Sequence, residues 1–310
     1  MRALAVLSMH TSPLAQPGTG DGGGMNVYVR ELSSHLARSG VRVDVFTRAD
    51  HPAQVPFVVV EPGLRVHHVP AGPLAPVPKE HLAGLVPSWT AGVRARLDGT
   101  GPFDAIHANY WLSGLAAHTL KHELDLPLIS TFHTLDRVKA SASPEEEAAA
   151  EPARRSAAEA EIVGCSDAVL ASCSVEAEQL YRLYDADPAR VEIVAPGVDH
   201  AFFGPGDQAQ ARRAVGLDAG ASIALFVGRI QPLKGLRLAV EALGALRDKP
   251  EATLVVVGGP SGPHGAEELA AVAGRIDALG LGNRVRMVAP MAHDRLSTFY
   301  RAADVCVIPS

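Results

Sequence analysis

"LAVLSMHTSPLAQPGTGDGGGMNVYVRELSSHLARSGVRVDVFT", residues 4–47, decides the fold. Two short runs rich in Val and Leu flank an amphipathic stretch, and a glycine-rich loop leads into that stretch. Strand, helix, strand in this order is a βαβ unit, whose strands pair in parallel. The strands are expected at Leu4–Ser8 and Val41–Thr47, with the helix at Met25–Ser39. Within the loop, "GTGDGG" (18–23) spells the Gly-x-Gly-x-x-Gly pattern of dinucleotide sites. Its context argues against that use. "HTSPLAQP" separates the glycines from the strand, and the second strand closes on Thr47-Arg48 rather than on an acid for a ribose hydroxyl. What remains is five glycines in seven residues, 18–24, ahead of a helix N-terminus. Close backbone approach and unpaired N–H groups there suit a phosphate or sugar phosphate.

The same alternation runs outward along the chain. Further strands are expected at Phe57–Val60, Val66–Val69, Ala105–Ala108, Leu128–Thr131, Ala168–Ala171 and Val191–Val194. Helices are expected at Glu80–Leu97, Trp111–His122, Glu145–Gly164 and Val175–Leu183. The third of these opens on a capping box, Ser143 with Pro144 and Glu146. A Gly- and Pro-rich stretch, 196–220, reads as a linker carrying one short helix. Alternation then restarts with strands at Ile223–Val227, Thr253–Val257, Val285–Val288 and Val305–Ile308. The helices between them are expected at Gly235–Leu246, Ala266–Leu279 and Asp294–Ala302. The fold class is therefore α/β, in two domains: residues 1–200 and 201–310.

Composition narrows the function classes. With 310 residues the chain has room for two α/β cores. A formal net charge of −6 argues against a general nucleic-acid binder. No apolar run reaches the length of a bilayer span, and the N-terminus reads as a first strand rather than a signal peptide. Three cysteines, Cys165, Cys173 and Cys306, are expected as buried free thiols of a cytoplasmic protein. His118 and His122 share a helix face at the spacing of zinc ligands, but the sequence offers no third ligand beside them, so they read as a surface pair.

Anion chemistry concentrates at strand edges. "VGRIQPLKG" (227–235) puts Arg229 and Lys234 on a loop that opens a helix, an arrangement suited to a diphosphate leaving group. "STFHTLDRVK" (130–139) puts His133 and Thr134 at another strand edge, and "HANYWLSG" (107–114) does the same for Tyr110. No Gly-x-Ser-x-Gly elbow or Walker lysine supports a hydrolase or a P-loop enzyme.

Together "SMHTSPLAQPGTGDGGGMNVY", "HANYWLSG", "HTL", "ARR", "YDADPARVEIVAPGVD", "FVGRIQPLKG", "VVGGPSGP" and "YRAADVCVIPS" give the chain a resemblance to the retaining family-four glycosyltransferases. Within the family it is most similar to the branch that moves N-acetylglucosamine from UDP-GlcNAc to 1D-myo-inositol 3-phosphate in mycothiol biosynthesis. The resemblance implies the GT-B fold, two Rossmann-like domains facing a crevice, the first binding the acceptor and the second the nucleotide sugar. It implies that Lys79, Tyr110, Thr134 and Arg154 hold the acceptor phosphate and that His10 contacts the acceptor. Gln16, Pro17, Gly24 and Asn26 would line the crevice, with Gly24 touching the donor. Arg229 and Lys234 would bind the UDP diphosphate, and His133 would lie near the transferred sugar. No cofactor is required; Mg²⁺ is allowed, though no residue pattern calls for it, and so is a homodimer.

Two departures accompany the resemblance. Met291 stands where the family has an arginine beside the nucleobase. The family also follows "PS" with a loop bearing two glutamates that orient the donor, and both fall beyond Ser310. The expectation is thus of a truncated chain with an incomplete second domain and little activity of its own. A sucrose-phosphate-synthase-like enzyme with another acceptor, and a non-catalytic phospho-ligand-binding fragment, are the alternatives.

Overall fold

The computed structural model describes residues 1–18, 22–142, 152–246, 248–262 and 264–309. Thr19–Asp21 of the glycine loop and the Ser143, Pro144, Glu146 capping box lie outside them. The chain divides into two compact units, Met1–Leu14 with Tyr28–Gly197, and Ala15–Val27 with Val198–Ser310.

In the first unit, eight strands among the described residues form one sheet. They are β1 (Ala3–Leu7), β2 (Arg42–Arg48), β3 (Phe57–Glu61), β4 (Leu64–Val69), β5 (Ala105–Asn109), β6 (Leu128–Thr131), β7 (Ala168–Ala171) and β8 (Val191–Ile193). Their order is β3-β4-β2-β1-β5-β6-β7-β8. Only the β3–β4 pair is antiparallel. Every residue of β1 and β5 is buried, as in a parallel strand covered on both faces. Asp44, on β2, is taken up internally: His67 Nε2 lies 2.7 Å and Arg65 Nε 2.8 Å from its carboxylate. It is therefore spoken for within the sheet, as its internal position in the strand implies.

The helices that follow the strands are α1 (Gly24–Arg38), α2 (Val86–Thr100), α3 (Trp111–Leu124), α4 (Asp136–Ala142), α5 (Pro152–Cys165) and α6 (Ser174–Tyr184). The helix expected at Glu80–Leu97 is two pieces, a 3₁₀ segment Lys79–Leu85 followed by α2. Pro87 lies in the first turn of α2, where its missing N–H removes no bond. Helix α4 follows a stretch read from sequence only as a strand edge. The cysteines differ from expectation: Cys165 is half-buried, and Cys173 and Cys306 are exposed. Cys173 caps the start of α6, and Cys306 lies on the outermost strand of the second sheet, so apolar flanks did not bring burial.

The second unit holds a four-stranded parallel sheet among the described residues, ordered β11-β10-β9-β12. Its strands are β9 (Ile223–Val227), β10 (Thr253–Val257), β11 (Val285–Val288) and β12 (Val305–Cys306). Helices α7 (Gln208–Ala214), α8 (Leu236–Ala245), α9 (Gly265–Ala278) and α10 (His293–Ala302) surround it. One core packs Leu236, Val240 and Leu243 of α8 against Leu254 and Val256 of β10. Arg212 of α7 is buried and bonds both carboxylate oxygens of Asp304, at 2.9 and 2.8 Å, tying α7 to the approach to β12. After β9 and β10 the chain passes so closely that a Cβ on Gly258 would sit 1.9 Å from Gly228 O, so this loop pair requires glycine.

Candidate active-site residues

Tyr110 leaves β5 and precedes α3, the point in an open α/β sheet where ligands bind. Its backbone is at φ 73° and ψ 154°, a region that side chains other than glycine rarely occupy. His133, at the end of β6, also has positive φ, 64°. Two adjacent strand ends thus both hold a strained residue, a pattern concentrated at binding and catalytic sites.

The Tyr110 ring is flanked by charge. Lys79 Nζ lies 5.2 Å and Arg155 Cζ 4.9 Å from its centroid, and the His10 ring stands 4.5 Å away, tilted by 43°. Both cations are within reach of the negative face of the ring. Arg155 also donates from one Nη to Thr134 O at 2.8 Å and Thr134 Oγ1 at 3.2 Å. The arginine that joins Tyr110 and Thr134 is Arg155, the next residue after the expected Arg154. Arg154 is exposed and lines a groove with Thr90 and Arg94 of α2 and Leu115 of α3.

The helical period explains the exchange. Arg155, Glu159 and Ile162 fall on the inner face of α5, and one residue is a turn of about 100°. Glu159 and Ile162 are fully buried. Glu159, which sequence reading passed over, organises this corner. It accepts from Arg155 Nε at 2.7 Å, from the Asp136 backbone N–H at 2.9 Å and from the Tyr184 hydroxyl. Burial works against the Arg155 charge, but Tyr110, Glu159 and Asp136 together raise its pKa. The i, i+4 spacing of Arg155 and Glu159 was the signal in the sequence.

His133 Nε2–H donates to Asn109 Oδ1 at 2.9 Å, and the Tyr28 ring meets His133 edge-on at 5.0 Å. Burial, with repulsion from His107 added, lowers the His133 pKa to about 3. Burial alone lowers that of His107 to about 4; it pairs with Thr131 Oγ1 at 2.9 Å. Both imidazoles are neutral at pH 7. His133 is thus a neutral polar side chain, not a cation. Asn109 is fully buried, and its Nδ2 has no hydrogen-bond partner among the described residues.

The other expected residues gather in the second unit. Arg229 follows β9, and Lys234 ends a short 3₁₀ turn, Pro232–Lys234, that Gly235 joins to α8 at φ 66°. Burial and then repulsion from Arg229 lower the Lys234 pKa, so the two cations crowd one place. A Cβ on Gly23 would lie 3.6 Å from Arg229 Nε, which brings the glycine loop to the same spot. Asn26 is buried and accepts from the Gly23 N–H at 2.8 Å, bracing that loop. Gln16 is exposed and donates to Pro17 O at 3.3 Å, and Gly24 begins α1 with open space at its Cα. Met291 packs on the apolar cluster of Leu225, Val257 and Phe299.

Comparison with known proteins agrees across the chain. Residues 23–197 match the family described as "Glycosyl transferase 4-like domain", and residues 207–310 match "Glycosyl transferases group 1". The D-inositol 3-phosphate glycosyltransferase 2 of Catenulispora acidiphila is 46% identical, over 100% of this chain and 74% of its own length. The D-inositol 3-phosphate glycosyltransferase of Actinosynnema mirum is 43% identical, over 100% of this chain and 76% of its own. Among solved structures, sucrose-phosphate synthase from Thermosynechococcus elongatus superposes with a TM-score of 0.89 at 32% identity, covering 100% of this chain and 76% of that one. Anabaena HepE in complex with UDP and glucose shares the fold, with a TM-score of 0.72 at 18% identity over 100% of this chain and 74% of that one. No helix among the described residues is long and apolar enough to cross a membrane.

Proposed function

We infer the reaction from one premise, that this chain belongs to the family-four glycosyltransferases of GT-B fold. The proposed reaction is retaining transfer of a sugar, N-acetylglucosamine, from a UDP-sugar to 1D-myo-inositol 3-phosphate or a similar sugar phosphate. The observation that carries it is the cluster in the first unit: two cations, Lys79 and Arg155, beside one strained tyrosine, with Thr134 on the same arginine. Such a set matches a phosphate monoester, which accepts several charge-assisted bonds at once. The names of the relatives that are 43–46% identical support inositol phosphate as the acceptor.

In this reading Arg229 and Lys234 hold the diphosphate. The bond from the anomeric carbon to the β-phosphate oxygen breaks, and the acceptor hydroxyl attacks from the same face. Its proton passes to the departing phosphate oxygen. The two cations stabilise charge as it grows on that oxygen, the largest contribution a protein of this kind makes to the rate. Neutral His133 contacts the transferred sugar without adding charge, and His10 contacts the acceptor.

The sucrose-phosphate synthase likeness, at 32% identity, favours a second reading with another sugar phosphate as acceptor, for which fructose 6-phosphate serves as the probe. Calorimetric titration with 1D-myo-inositol 3-phosphate, fructose 6-phosphate, inorganic phosphate and UDP separates them. The expected result is binding of UDP and of the inositol phosphate, the latter at least about tenfold tighter than the other two phosphates, or about 1.4 kcal/mol. Preference for fructose 6-phosphate establishes the second reading. Phosphate-ester binding without UDP binding would make the chain a binding module instead.

A further inference from the structure

At the opposite end of the first sheet from Tyr110, the structure supplies what the sequence lacked for His118 and His122. Helix α3 runs back from the strand ends, so its second half carries both histidines to the far edge. Cys165, the last residue of α5, meets them there. Its Sγ lies 3.4 Å from His122 Nε2, and the two imidazole rings are 5.1 Å apart, tilted by 59°. One ligand atom from each of the three residues falls within 4.8 Å of the others. Bond lengths to zinc of about 2.0–2.3 Å put neighbouring corners of a tetrahedron roughly 3.5 Å apart. The Cys165–His122 separation already matches such an edge.

The surroundings hold these three groups in place. A Cβ on Gly114 would lie 2.6 Å from Ile162 Cδ1, so the glycine lets α5 lie directly on α3. Lys121 Nζ donates to Cys165 O at 2.9 Å and pairs with the Asp167 carboxylate, fixing the end of α5 against α3. His118 Nδ1 is buried with no hydrogen-bond partner among the described residues, and Glu161 Oε1 stands 3.6 Å from it. A carboxylate beside the second nitrogen of a ligating histidine is the usual outer partner at metal sites.

We propose that His118, His122 and Cys165 form a binding site for a divalent ion of the zinc class, with Glu161 as the outer carboxylate and water in the fourth position. Two imidazoles and one thiolate are a borderline-soft donor set, which selects such ions over Mg²⁺ or Ca²⁺. The site clips the end of α5 to α3. Arg155 lies ten residues earlier on α5, about 15 Å along the helix. The ion would therefore stiffen the element that carries Arg155 without touching the reacting groups.

Titration of the full chain with Co²⁺, a coloured stand-in for Zn²⁺, tests the proposal. The expected result is a thiolate-to-metal charge-transfer band that Zn²⁺ displaces. The band should be lost in Cys165→Ser and kept in Cys173→Ser and Cys306→Ser. Glu161→Gln should weaken binding by about 10- to 100-fold. Absence of the band, or its survival in Cys165→Ser, would overturn the assignment. Alkylation of the unmodified protein provides a check that needs no variant: Zn²⁺ should protect Cys165 and leave Cys173 and Cys306 reactive. Equal labelling of all three with and without Zn²⁺ also refutes the site.

Discussion

At Tyr110 the backbone takes a conformation costing about 1–3 kcal/mol, and the ring displayed there has two cations within about 5 Å of its centroid. In the proposed function this site holds the acceptor phosphate, and Arg155, fixed by Glu159 and Thr134, is its best-anchored donor. Replacing Arg155 by Gln removes a charge-assisted bond worth about 1.5–3 kcal/mol, so inositol phosphate should bind about 10- to 150-fold more weakly by calorimetry. Arg154→Gln, on the outward face of α5, should leave that affinity unchanged. "ARR" names both arginines in the sequence and ranks neither. Only the helical phase set by Glu159 and Ile162 tells them apart, and strain at Tyr110 leaves no mark in the letters at all. The neutral histidines add a pH dependence. In the unfolded chain His107 takes a proton below about pH 6.5, whereas in the folded one it does so only near pH 4. The unfolded state therefore binds more protons between these values, and stability falls as pH drops through them, by about 3 kcal/mol from His107 alone. Urea midpoints measured from pH 7 to pH 4 should show this loss, and His107→Gln should remove its share while the part due to His133, whose pKa is lowered to about 3, remains.

Elements carry the next set of constraints. Strands and most helices were legible because buried β-branched runs and amphipathic stretches have different periods. Helix α4 was not legible, since its seven residues follow a strand end and its start is fixed by a distant partner, Glu159 on α5. Contact between α3 and α5 depends on Gly114, and Gly114→Val would drive methyl groups into Ile162. Overpacking of this kind costs about 1–3 kcal/mol, which should appear as a lower urea midpoint with an unchanged slope. In the second unit, the loop from Gly228 to Gly235 places Arg229 beside Lys234. The lowered pKa of Lys234 means that its charge is lost at a lower pH than an ordinary lysine loses it. UDP affinity should therefore fall as pH rises through the alkaline range, and Lys234→Met should be weaker throughout and lack that fall.

Taken as a whole molecule, the chain is two α/β units, each with its own cluster of cations at the ends of parallel strands. A net charge of −6 leaves these clusters as local exceptions, which is why composition argued against a general nucleic-acid binder and the phosphate reading rested on motifs at strand edges. The α/β class was readable from alternation alone. The membership of residues 15–27 in the second unit was not, because it depends on contacts made far along the chain, as between Gly18 and Pro290. The central claim is that the first unit reads the acceptor phosphate and the second the diphosphate. Parallel calorimetric titrations of wild type, Arg155→Gln and Lys234→Met with 1D-myo-inositol 3-phosphate and with UDP test it most directly. The account predicts a crossed pattern, with Arg155→Gln losing at least about tenfold for the inositol phosphate alone and Lys234→Met the same for UDP alone. Equal weakening of both ligands by either substitution, or of neither ligand by both, would contradict it.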